Sequence, residues 1–131
     1  MLSIKEAKQI IENFANSNNN TQALTTKRSF FTTKKIANQI AFPNQKQHWL
    51  DYLTEIEQKD GPEKDFKYAY NHVHCAPMLC YLANQLNIKT EKAEKDIADQ
   101  HLQMMSEAKK FRDNYLSYSD VEAAMNKLLG R

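Results

Sequence analysis

Apolar residues recur at alternating steps of three and four along most of this chain, the spacing that gathers side chains on one stripe of an α-helix. The longest such run predicts one helix over residues 91–117. Ile97, His101, Met104, Ala108, Phe111 and Tyr115 follow one another on its stripe, and Thr90 stands at the N-cap position. No Gly or Pro interrupts residues 78–129, so nothing local breaks it. Ala93, Ala98, Leu102 and Met105 widen the stripe and predict more than one packing neighbour.

Shorter runs lie on both sides. Ser3-Ile-Lys-Glu6 is a capping box with Leu2 and Ala7 in staple positions. It predicts a helix to about Ala15 with Ile4, Ala7, Ile10 or Ile11, and Phe14 inward. After the polar break 16–20, Leu24, Phe30 and Phe31 suggest a short helix. A second, capped by Thr32 or Thr33, carries Ile36, Ala37, Ile40 and Ala41. Asn44 is placed to cap a helix over 45–59 with Trp49, Leu50, Leu53 and Ile56 inward. Asp60-Gly61-Pro62 is the strongest stop signal, and the next helix is expected to begin near Pro62. It turns Phe66, Ala69, Tyr70 and Val73 to one side. Pro77 should break or kink it, with Met78, Leu79, Tyr81, Leu82 and Leu86 continuing to about Asn87. Ser119-Asp-Val-Glu122 reads as a second capping box, opening a last helix with Val121, Ala124 or Met125, and Leu128 inward. Gly130 closes it.

The pattern predicts a single compact all-α domain over residues 1–131, with five to seven helices packed around the 91–117 helix. Composition agrees: two Gly and three Pro in 131 residues are too few for the tight turns of an all-β chain. No apolar run is long enough to span a bilayer, and residues 1–20 lack a signal-peptide core. Cys75 and Cys80 are not placed to bridge each other, and a cytoplasmic protein with reduced thiols is expected.

Charge sharpens this picture. Residues 1–50 carry seven Lys/Arg against two Glu, giving +5, whereas 51–131 carry eleven basic against fourteen acidic residues, giving −3. A bipolar chain of this kind suits a charged partner surface. The basic end interleaves with aromatics: Lys27, Arg28, Lys34 and Lys35 surround Phe30 and Phe31, and Lys46 precedes Trp49. Residues 33–50 also resemble a helix-turn-helix, though without a turn Gly and with Gln47 where an apolar residue is usual. Nucleic-acid binding through residues 27–49 is the alternative function this supports.

Catalytic and cofactor chemistry find little footing. His72, His74 and His101 are the metal-capable residues, but positions two apart on a helix diverge, and core or interface roles are favoured. His48 and Asp51 fit a local hydrogen bond rather than a di-iron Glu-x-x-His pair. Gly61 and Gly130 cannot build a phosphate-cradling loop. No cofactor and no enzymatic activity are expected. The leading expectation is a small protein-binding module, of the inhibitor or immunity type that blocks a toxin or nuclease. Its acidic stretch, Asp51, Glu55, Glu57, Asp60, Glu63 and Asp65, would meet a basic cleft, and Tyr68 and Tyr118 are the aromatic interface candidates.

Overall fold

The structure is a computed structural model, and it describes residues 1–15, 44–88 and 108–131. The fold is all-α. Six helices are described: α1 (Ile4–Glu12), α2 (Gln45–Asp60), α3 (Phe66–Asn71), α4 (Ala76–Gln85), α5 (Ala108–Tyr115) and α6 (Tyr118–Leu128). The predicted 91–117 helix enters this set through its last turns, as α5. Its residues 91–107, His101 included, lie outside the described residues, as do the two short helices predicted between 21 and 42.

The first turn of α1 explains how the chain end is held. Four N–H groups at a helix N-terminus lack intrahelical partners and need others. Ser3 Oγ accepts from the Glu6 N–H, and Glu6 Oε1 accepts from the Ser3 N–H, so the predicted capping box forms. The Ile4 and Lys5 N–H groups donate to the carbonyls of Lys64 and Pro62 at 2.8 and 3.0 Å. The Phe66 N–H returns the favour to the Leu2 carbonyl at 2.8 Å, making an isolated antiparallel bridge between Ser3 and Asp65. Glu6 also pairs with Arg131, joining the two ends of the described chain. Its carboxyl is held below the usual value, first by the Ser3 N–H and then, against some burial, by Arg131.

That bridge corrects one boundary. The helix expected near Pro62 begins at Phe66, because the carbonyls of Pro62 and Lys64 already serve α1. Gly61 does end α2, at φ +95°, a left-handed conformation that side chains resist. Asn44 occupies the N-cap position of α2 but at φ +71°, and its side chain makes no cap hydrogen bond. Pro77 falls in the first turn of α4, where its missing N–H costs nothing, and 72–75 form a full break after α3. The last cap lies two residues earlier than expected. Ser117 Oγ, not Ser119, accepts the Asp120 N–H, and this start lines up Tyr118, Val121 and Met125 on one side of α6. Leu128, expected inward, is 61 % exposed, while Leu129 packs against the core.

α1 packs on α2, α3 and α6, and α4 bridges α2 to α5. Ile4, Ile11, Trp49, Leu53, Phe66, Tyr70, Leu79 and Phe111 are fully shielded or nearly so. Removing apolar area from water at roughly 25 cal/mol per Å² makes these the main source of stability. Polar tips then fix the register. The Trp49 indole N–H donates to the Met78 carbonyl at 2.9 Å, linking α2 to α4. The Tyr52 hydroxyl donates to Ala69 at 2.7 Å, linking α2 to α3. Tyr70 donates to the Leu116 carbonyl, and Tyr81 to Ala15 at 2.5 Å. Arg112 reaches from α5 to the carbonyls of Val73 and Asn71, at 2.5 and 3.0 Å. Each ties one element to the backbone of another. No described helix is long and apolar enough to cross a membrane.

Candidate functional site

The acidic residues between 51 and 65 divide into two roles. Asp51 and Glu55 stand one turn apart on the exposed side of α2, hence on one stripe. Asp51 accepts from the Gln47 amide at 2.7 Å, the i−4 neighbour, rather than from His48. Asp60 ends α2 and Glu63 follows on the connection, both exposed. None of these four makes an ion pair among the described residues. The other two are structural. Glu57 pairs with Lys8 across the α1–α2 contact at 3.3 Å, and Asp65 caps α3 by accepting the Lys67 N–H at 2.9 Å.

The two tyrosines also part company. Tyr118 packs its ring against Phe66 and Tyr70, with centroids 6.2 and 5.7 Å away. Burial raises its phenol well above the ordinary value, and the Glu122 and Asp65 carboxylates push the same way. It belongs to the core side of α6, not to an exposed face. Tyr68 is 43 % exposed and is nonetheless well held. Lys64 Nζ lies 4.5 Å from its ring centroid, and the His72 ring is 4.3 Å away at 31°. His72 Nδ1 lies 2.7 Å from the Tyr68 carbonyl. A carbonyl only accepts, so that nitrogen carries the proton and the ring is oriented.

Tyr52 joins the tyrosine to the acids. Burial first, then the neighbouring Tyr68 phenol, pushes its own phenol up to about 12, with Arg112 opposing and Glu55 adding. Glu55 and Tyr68 thus both raise the same partly buried phenol. Tyr68 is thus an exposed, restrained aromatic, and Asp51 and Glu55 are exposed carboxylates without an ion pair among the described residues. Tyr68 lies off the Phe66, Ala69, Tyr70 and Val73 stripe, which marks it as outward; its coupling to Lys64 and His72 follows only once α3 is known to begin at Phe66.

The remaining candidates are more dispersed. His72 and His74 are exposed on the connection after α3, and His101 lies outside the described residues. No three His, Cys, Asp or Glu side chains converge as a metal set among the described residues. Cys75 and Cys80 are unbridged, and burial pushes the Cys80 thiol up strongly, with Cys75 adding. Such a thiol stays protonated and is a poor nucleophile. Lys27, Arg28, Lys34 and Lys35 lie outside the described residues; Lys46 is half-buried in the first turn of α2. Of the helix-turn-helix resemblance only 44–50 is described, and it forms the start of α2. Comparison with protein-family profiles, curated proteins and solved structures finds no match for this chain.

Proposed function

We propose that this chain is a protein-binding module whose working face is built from Asp51, Glu55 and Tyr68, and that its partner presents a basic surface. The observation that carries this is Tyr68: a large exposed side chain restrained by Lys64 and His72. Aromatic side chains that are ordered before binding lose little entropy on contact, which is what an interface anchor needs. The exposed carboxylates would steer and register a cationic partner, and Asp60 and Glu63 extend the acidic rim. An inhibitor or immunity-type role follows from this chemistry. The basic cleft of a nuclease, or of a toxin acting on nucleic acid, is complementary to such a face. The unbridged cysteines favour a reducing compartment such as the cytoplasm.

The test is affinity capture from the native host with the wild-type chain and with a variant combining Asp51→Lys, Glu55→Lys and Tyr68→Ala. All three side chains are exposed, so the variant should keep its fold. A basic protein retained by wild type and lost with the variant, in a complex that weakens as salt rises, supports the proposal. Capture of the same proteins by both chains would remove it.

A further inference from the structure

A second surface, built from α5 and the end of α3, has the opposite sign. α5 and the segment that ends α3 enclose an open cleft of about 700 Å³, within the size range of small-ligand sites. Lys109, Lys110 and Arg112 enter it from α5, and His74 enters from the connection after α3. The amides of Asn71 and Asn114 also line it, and among the described residues Asp113 is its one carboxylate. That carboxylate already pairs with Lys109 at 2.9 Å.

We propose that this cleft binds a small phosphate-bearing anion, of about mononucleotide size. Arg112 is the decisive group. Its guanidinium is fixed by the carbonyls of Val73 and Asn71, which are neutral, so no described carboxylate cancels its charge. A guanidinium positioned in this way, lining the same cleft as Lys110 on the other flank of α5, offers donors that phosphate oxygens favour. With Asp113 offset by Lys109, Lys110 and Arg112 leave about two positive charges among the described residues of one concavity, and the Asn71 and Asn114 amides add neutral donors. Isolated lysines on a solvated helix would carry no such meaning; here they share a cavity with a fixed arginine. An extended polyanion suits the surface less well, because residues 51–131 carry a net −3 and a long chain would run over exposed acids.

The test is a titration of the full chain with AMP and with inorganic pyrophosphate, followed by amide chemical shifts at constant ionic strength. Saturable shifts confined to residues 71–74 and 109–114 are expected. Two exposed variants move the affinity in opposite directions. Lys110→Glu should weaken binding roughly tenfold, and Asp113→Asn, which removes a carboxylate from the lining, should tighten it several-fold. Unchanged shifts elsewhere in each variant report that the fold is intact. Non-saturating shifts, equal affinity in wild type and both variants, or binding of an oligonucleotide without binding of AMP or pyrophosphate would overturn the proposal.

Discussion

Single side chains in this protein do two jobs at once, and that has measurable consequences. Tyr70 fills the core beside Phe66 and Tyr118 and also satisfies the Leu116 carbonyl, which is fully buried. Tyr70→Phe keeps the ring and strands that acceptor. Urea denaturation should show a loss of about 1–3 kcal/mol, the usual cost of an unsatisfied buried polar group. Tyr52 and Tyr81 give a pH signature of the same arrangement. Burial raises both phenols from 10 to about 12. The folded chain therefore holds these protons to higher pH than the unfolded chain does. Their contribution is intact below pH 10 and declines as pH rises through 10 towards about 12. Denaturation midpoints should fall across that window, and a Tyr52→Phe, Tyr81→Phe double variant should show a shallower fall.

At the scale of elements, the caps decide where helices begin, and here sequence pattern and structure differ instructively. Ser117-x-x-Asp120 and Ser119-x-x-Glu122 are both cap-like, and local chemistry alone does not choose between them. Packing does: starting at Ser117 puts Tyr118 against Phe66 and Tyr70. Ser117→Ala should cost about 0.5–2 kcal/mol in chemical denaturation, and Ser119→Ala a few tenths at most. Equal effects would place the cap elsewhere. The Pro62 boundary slipped for a related reason. Gly61 and Pro62 read correctly as a stop, but the carbonyls of Pro62 and Lys64 are taken by α1, a partner some sixty residues away in sequence. The box at Ser3 was legible because both halves of it are local. The apolar stripes were legible too, since Ile4, Ala7, Trp49, Leu53, Phe66, Ala69 and Val121 all lie inward as their spacing requires.

For the whole molecule, long-range pairings carry what spacing cannot. Trp49 was placed in the core by its stripe, but nothing near it in sequence pointed to Met78. The six acids at 51–65 looked like one patch and divide into four exposed groups and two structural ones, Glu57 and Asp65. Lys109, Lys110 and Arg112 share a cleft with Asn71 and His74, residues more than thirty positions away that no local pattern links to them. The described residues thus include exposed acids on and after α2, an exposed Tyr68 on α3 and a cationic cleft at α5. The central claim is that the acidic face meets a protein partner. Amide hydrogen exchange on the captured complex, compared with the free chain, tests it most directly. New protection is expected at residues 51–58 and 66–72, with 109–114 unchanged. Protection confined to other surfaces, with 51–58 and 66–72 exchanging as in the free chain, would contradict it.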